Sequence, residues 1–343
     1  MTVYFSDFKN NPKLQKNIAA KAVILSAIRE FFHREGFLGV DTPTMVISPD
    51  PSPFNEVFEV RSFKGEKYYL TPSPEFFIKK LLSAGLKNVY QITKAYRDMQ
   101  ENDLVHLREF TILEWYRTGG TYLDLMEDCE NLINYIYQYI TVETGHAWSL
   151  QTIEYQGTRI NITAPWHKLS CEEAFKKYAK IDLRKFLSFE IAKKICRQHG
   201  YQVNEKNSWE ELYHQIFLNE VEPNFPKDRP FFLYDYPAPL AALSKIKKDD
   251  SDFAERVELY IGGLELANGY SELTDSREQE KRLKANIETR KEKKMRVFDY
   301  DQQFVEALKS GFPQTAGIAL GIDRLIMLFC NSADIHDITP FAL

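Results

Sequence analysis

The chain has 343 residues, 44% apolar and 27% charged, with a formal net charge of −5. These values are ordinary for a globular protein with a substantial core; no apolar run approaches the roughly 18–20 residues of a membrane span, and the slight acidic excess argues against a protein that grips long nucleic acid through a broadly basic face. The N-terminal stretch Met1–Asn17 has no apolar signal core, so the cytoplasm is the expected compartment.

Along the chain, Leu14 to Arg34 predicts an amphipathic helix, with Ile18, Ala22, Leu25, Ile28 and Phe32 at helical spacing and Gly36 as its stop. A short β-like run, Phe37–Val46, is broken at Pro43, and a proline-rich loop follows from Ser48. Tyr68–Leu70 and Val89–Ile92 read as strands flanking a helix from Glu75 to Ala84. Phe110–Tyr116 returns as a third strand after a polar loop from Asp98 to Arg108. From Tyr122 to about Glu220 the pattern is largely helical, near Leu123–Tyr139, Cys171–Lys177, Phe189–His199 and Trp209–Phe217. Strands Phe231–Tyr234, Val257–Ile261 and Glu265–Gly269, a charged helix Ser276–Lys293 and the unit Gly317–Leu325 complete the chain. The expected architecture is one α+β domain over 1–343, an antiparallel sheet flanked by helices, with 120–225 as a mainly helical insertion. Cys129, Cys171, Cys196 and Cys330 are scattered without a C-x-x-C pair, which fits free thiols better than zinc or disulfides.

Three segments carry chemistry. In Ala95–Tyr116, Arg97 ends one strand and the returning strand brings Phe110, Glu114 and Tyr116 to one face at period two. Arg97 suits a phosphate and Phe110 a nucleobase; the alternative is an exposed arginine and a core phenylalanine. In Val257–Asp275, Glu258, Glu265 and Glu272 recur every seven residues. On a helix that would be a solvated stripe, but Gly262, Gly263 and Gly269 argue for strand and turn. A cation site then follows, for Mg²⁺ with phosphates or for an ammonium group. In Gly317–Leu325, Arg324 follows a glycine-bearing strand end and could clamp a second phosphate or cover a base.

Together these segments resemble the class II aminoacyl-tRNA synthetase catalytic core of the lysine, aspartate and asparagine subgroup, over roughly residues 12 to 340. Pro43 falls in the dimer-interface motif, Ala95–Tyr116 in the second motif and Gly317–Leu325 in the third. The resemblance implies ATP with Arg97 on the α-phosphate, Arg324 on the γ-phosphate and adenine between Phe110 and Arg324. Asp98, His106, Leu266 and Gly321 would complete the ATP contacts, and Glu258 and Glu265 would hold Mg²⁺. Glu75 would take the α-amino group of a lysine, Glu114, Tyr116 and Glu272 its ε-ammonium, and Asn268 its carboxylate, with Ser73, Tyr270 and Ala319 lining the pocket. Carboxylates around a buried ammonium make electrostatic sense, because a lone desolvated charge costs several kcal/mol.

The first-motif helix begins near Leu14, which leaves no room for an anticodon-reading domain. The expected architecture therefore resembles the elongation factor P lysine lysyltransferase family, which attaches a lysyl group, usually β-lysyl, to a lysine of that factor. Val221–Phe225, Gly262–Gln279 and Ala319 carry this finer likeness; the synthetases usually have glycine at the last position. Departures are Arg97-Asp98-Met99 in place of R-N-E, with Glu101 the nearest glutamate, His106–Phe110 reading HLREF, and Tyr270 in place of phenylalanine. Lysine or β-lysine, elongation factor P and a second copy of the chain are the expected partners, with no membrane and no anticodon contact. The rival readings are an adenylate-forming ligase with another acceptor and a non-catalytic paralogue.

Overall fold

The long N-terminal amphipathic stretch forms helix α1 (Pro12–Arg34) in a computed structural model that describes residues 5–53, 55–98, 103–144 and 151–342. Asn11 caps it: its side chain accepts from the N–H groups of Lys13 (3.0 Å) and Leu14 (3.4 Å), while Pro12 occupies the first turn, where no N–H is needed. Ile24, Ala27, Ile28, Phe31 and Phe32 form its buried stripe.

Eight strands build one sheet: β1 (Leu38–Gly39), β2 (Val89–Tyr96), β3 (Glu109–Thr118), β4 (His167–Ser170), β5 (Phe231–Pro237), β6 (Phe253–Ile261), β7 (Leu264–Ser271) and β8 (Thr315–Gly321). Their spatial order is β1-β2-β3-β8-β7-β6-β5-β4. Only the outermost pairs, β1 with β2 and β5 with β4, are parallel; the pairs between are antiparallel. The remaining named helices are α2 (Glu75–Ser83), α3 (Tyr122–Thr144), α4 (Trp209–Ile216), α5 (Ser276–Glu292), α6 (Gln302–Lys309) and α7 (Ile322–Phe329). The fold is the expected α+β type, its largely antiparallel sheet made mixed by one parallel pairing at each edge.

Strand alternation decides which face is core. On β3, Leu113 and Trp115 are fully buried and join Phe32 of α1, Leu125 of α3 and Ile326 of α7 in the main cluster. Each such side chain contributes about 1.5–3 kcal/mol by leaving water. Glu114 and Tyr116, one residue out of phase, point to the opposite face. There a smaller cluster of Phe76, Leu82, Leu283 and Phe304 brings α2, α5 and α6 against the sheet, with Phe76 and Phe304 stacked at 4.2 Å. A third cluster packs the helices of residues 171–225 on β5.

Residues 120–225 hold the anticipated helices, and α3 packs on α1 and the sheet. The segment also holds a hairpin, Thr152–Tyr155 with Thr158–Asn161, and the edge strand β4. Four-residue strands place only two residues on each face, too few for the alternation to register in sequence. Among the described residues no helix is long and apolar enough to cross a membrane.

Asp323 ties the layers together. It is 2% exposed, and its carboxylate accepts from the Thr111 N–H of β3 (2.6 Å), the Lys21 ammonium of α1 (2.7 Å) and the Thr339 hydroxyl (3.1 Å). Asp323→Ala should therefore lower unfolding stability by about 3 kcal/mol, because it leaves a largely buried ammonium and a buried N–H unpaired. Urea denaturation checks this; a loss below about 0.5 kcal/mol, the range of neutral surface changes, would deny the residue that role.

Candidate active site

The functional face of the sheet is read across its strands. One rung runs Gln91–Glu114–Ala319–Asn268–Glu258, and the next Val89–Tyr116–Gly317–Tyr270–Arg256, each residue paired with its neighbour in register. These rungs hold six of the expected site residues because β2, β3, β8, β7 and β6 lie side by side. The Gly262–Gly263 turn, at φ +64° and +83°, closes the β6–β7 hairpin in a conformation that side chains resist, so Glu258 and Glu265 fall on adjacent strands. Gly317 is required by close approach: a Cβ there would lie 2.2 Å from the Tyr116 ring and 2.4 Å from Glu272 Oε1.

A cavity of about 660 Å³ opens over this face. Its inner end is lined by Ser73, Glu75, Glu114, Tyr116, Asn268, Tyr270, Glu272 and Ala319, all eight of the residues expected to hold the amino acid. Ser73 Oγ accepts the Glu75 N–H (3.0 Å) and donates to Glu114 Oε1 (2.6 Å), while the Tyr116 hydroxyl donates to Glu114 Oε2 (2.9 Å). Glu75 opens α2, where the helix N-terminus favours a carboxylate.

Lys79, which the sequence reading missed, sits in the middle of this group. It is 1% exposed, and its ammonium lies 2.6 Å from both Glu75 Oε1 and Glu272 Oε2. The i,i+4 spacing from Glu75 was the available signal. Asp50, from the proline-rich loop, adds another carboxylate to the cavity wall. Asp50, Glu75, Glu114 and Glu272 thus crowd one part of the cavity, where the Lys79 ammonium pairs with Glu75 and Glu272, while Arg290 acts on Asp50 and Arg97 on Glu114 from further off.

The titration of these groups shows the imbalance. Burial, with the charge of Glu75, pushes Glu114 and Asp50 each up to about 7. Burial raises Glu272 to about 8, with Glu75 and Glu114 acting the same way, and the shared Lys79 ammonium does not offset them. Burial alone would lower Lys79, yet Glu272 and Glu75 overcome it and keep the ammonium charged. Glu272 Oε1 is buried with no hydrogen-bond partner among the described residues. The cage is short of cations.

A second cavity, about 160 Å³, is lined by Arg97, His106, Phe110, Glu265, Leu266, Gly321 and Arg324, seven of the eight residues expected at ATP. Arg97, Ile112, Asn268 and Ala319 line both cavities. The Arg97 guanidinium lies 5.1 Å over the Phe110 ring, and its Nε is buried without a partner among the described residues, a donor suited to an anion. Arg324 donates to the carbonyls of Glu265 (2.8 Å) and Val105 (3.2 Å) and to His106 Nε2. A guanidinium only donates, so His106 accepts at Nε2 and gives its Nδ1–H to Asp103 at 2.8 Å. Burial and the Arg324 charge hold the imidazole below its usual range, hence neutral.

Asp98 lines neither cavity; its N–H bonds the Glu56 carbonyl (2.9 Å). Met99 and Glu101 lie outside the described residues. Glu258 also lines neither, being held by Arg256 (2.7 Å) and the Tyr260 hydroxyl (2.8 Å). Burial and the charge of Glu258 raise Glu265 to about 7. A divalent cation beside Glu265 and Glu258 would relieve the burial and repulsion that hold Glu265 up. Arg256, missed in sequence, also donates to Asn268 Oδ1 (3.3 Å) and the Leu240 carbonyl (2.8 Å).

The family model of class II tRNA synthetases (D, K and N) matches residues 2–343. A lysine–tRNA ligase of Pelotomaculum thermopropionicum is 33% identical over 341 residues, covering 99% of this chain and 65% of that protein. One from Campylobacter jejuni subsp. jejuni is 32% identical over 337 residues, 98% of this chain and 65% of the relative. The chain thus spans just under two thirds of the length of these ligases. An elongation factor P–(R)-β-lysine ligase of Hamiltonella defensa is 33% identical over 331 residues, 95% of this chain and 94% of the relative.

The raised carboxyls have a solution signature. Unfolded, they would titrate near 4, so the folded protein holds extra protons between there and their folded values of about 7 to 8. Their contribution to stability is fully present below about pH 4 and is lost as pH rises through 7 to 8. The ligand-free thermal midpoint should fall across that window, and a cationic ligand entering the cage at pH 7 should release protons. Titration calorimetry in buffers of different ionisation enthalpy measures the release; identical heats would mean the carboxyls are already ionised.

Proposed function

Because this chain belongs to the class II tRNA synthetases of the D, K and N group, we propose that it is an ATP-dependent, AMP-forming ligase that activates lysine or β-lysine and transfers it to a lysine side chain of elongation factor P. The observation that carries the first half is the cage of four carboxylates in which the one ammonium pairs with only two, Glu75 and Glu272. A diamino acid brings two cations to it, whereas an acidic guest would add to the excess charge.

Glu75 takes the backbone-side amino group, Glu114 and Glu272 with the Tyr116 hydroxyl take the ε-ammonium, and Asn268 holds the carboxylate. Ser73, Tyr270 and Ala319 complete the pocket. ATP occupies the smaller cavity, its adenine between Phe110 and Arg324 beside Leu266 and Gly321, with His106 orienting Arg324 and Asp98 close by in the chain. The bound carboxylate attacks the α-phosphorus in line; an acyl–phosphate bond forms and pyrophosphate leaves. Arg97, shared by both cavities, stabilises the charge that develops on the α-phosphate, and Arg324 holds the γ-phosphate. Glu258 and Glu265 would hold Mg²⁺, which would neutralise phosphate charge when bound. No side-chain nucleophile is needed, so positioning supplies much of the rate.

One observation supports a protein amine as acceptor. The elongation factor P–(R)-β-lysine ligase is matched almost end to end. For the activated amino acid, the Ala319 methyl stands between Glu114 and Asn268 in one rung of the sheet, a position that would suit the shifted amino group of β-lysine. Equal identity to lysine–tRNA ligase keeps tRNA as the competing acceptor. A homodimer accompanies this reading: Leu38, Met45 and Ile47, beside Pro43, are 51%, 51% and 74% exposed.

ATP–pyrophosphate exchange should appear with lysine or β-lysine and with no acidic amino acid; silence with every lysine isomer would refute the proposal. Glu272→Gln should raise the KM for lysine about tenfold or more, the loss expected for a charged hydrogen bond, and leave that for ATP nearly unchanged. Incubation with elongation factor P should add one lysyl mass to it, whereas charging of tRNA alone would transfer the assignment to the competing acceptor.

A further inference from the structure

We infer that the outer arm of the large cavity, between α4 and α5, is the channel for the acceptor, and that it takes a primary ammonium on an aliphatic stem, a protein lysine side chain. This rests on the proposed lysine activation and gives it an acceptor subsite.

The arm is space that neither proposed substrate uses. The amino acid occupies the cage at the inner end, and ATP the smaller cavity. The same large cavity continues outward to Glu210 and His214 on α4, Leu243 in the segment after β5, and Glu278 and Ala285 on α5. The acyl carbon of an adenylate would lie where the two cavities share Arg97, Asn268 and Ala319, and the arm opens onto that wall.

Its chemistry selects the guest. Methyl and methylene surface from Leu243 and Ala285 suits an alkyl stem, while Glu210 suits an ammonium head beside Glu278, whose carboxylate also pairs with Arg282 at 3.0 Å. The wall is also preformed. Arg282 donates to the carbonyls of Ala242 and Ser244 (2.8 Å each) and to Glu278 (3.0 Å). Arg256 bonds the Leu240 carbonyl (2.8 Å) while holding Glu258 and Asn268. Arg282 thus fixes the channel wall, and Arg256 separately fixes the activation centre.

In the transfer the ammonium first gives a proton to water through the open arm. Its nitrogen then attacks the acyl carbon; the C–N bond forms, the C–O bond to phosphate breaks, AMP leaves with the electron pair, and a second proton goes to water.

The test separates activation from transfer in the full-length enzyme. Ala285→Trp places an indole in the arm from an exposed helix position, and the double variant Glu210→Gln/Glu278→Gln removes its charge while keeping its shape. Both should keep lysine-dependent ATP–pyrophosphate exchange within about twofold, as surface changes do. Single-turnover transfer from the preformed adenylate to Nα-acetyllysine amide should fall about a hundredfold in the Trp variant, the scale of a misplaced reactant. In the double variant the KM for the amine should rise while kcat holds. Normal transfer in both variants, or a parallel fall in exchange, would overturn the channel. Independently of turnover, Nα-acetyllysine amide should protect Glu210 and Glu278 from carbodiimide labelling, and unprotected carboxylates would overturn it as well. Absence of exchange in the unaltered enzyme would instead strike the lysine-activation reading.

Discussion

Four carboxylates gathered around one buried ammonium repel one another, and the surrounding structure is organised to hold them. Removing such charges from water costs several kcal/mol per ion, and the Lys79 ammonium compensates only Glu75 and Glu272. The remainder is held by geometry. Glu114 is fixed by strand register and by the Ser73 and Tyr116 hydroxyls. Glu75 is fixed at the start of α2, which Phe76 anchors by stacking on Phe304 of α6. Gly317 leaves the space that Tyr116 and Glu272 fill. Under the proposed lysine activation, a ligand that brings positive charge to this group of carboxylates would relieve their repulsion.

The smaller cavity is held by a different device. Asp323 and Arg324 are neighbours on the first turn of α7 and point in different directions. Asp323 turns inward to Lys21 and Thr111, joining α1 and β3, while Arg324 turns to the smaller cavity and is held by two carbonyls and His106. The turn that seals the core thus sets the position of the arginine. Arg256 plays the matching part on the other side, linking Glu258, Asn268 and the loop beyond β5.

Much of this face could be read from the chain because strands repeat every two residues. Phe110, Glu114 and Tyr116 were placed on one face by alternation, and the glycines at 262, 263 and 269 turned a possible helical stripe of glutamates into a hairpin. Glu75 and Asn268 entered only through resemblance to a family, since nothing local marks one glutamate on a helix or one asparagine on a strand. Lys79, Asp50 and Arg256 were not found. A lysine four residues after a glutamate reads as an exposed surface pair, and its burial depends on Glu272, nearly two hundred residues away. Asp50 lies in a proline-rich loop without periodicity.

By itself the sequence determined the element types, the facing of the central strands and the set of acidic and basic residues available for chemistry, because these follow from local periodicity and turn stereochemistry. Only the tertiary structure decided that β8 separates β3 from β7, bringing Glu114, Ala319 and Asn268 into one rung. It alone decided that Lys79 is buried between two carboxylates and that Asp98 and Glu258 lie off the cavity walls. Strand order and burial are set by contacts between segments far apart in the chain, and charge imbalance is a property of the space those segments enclose.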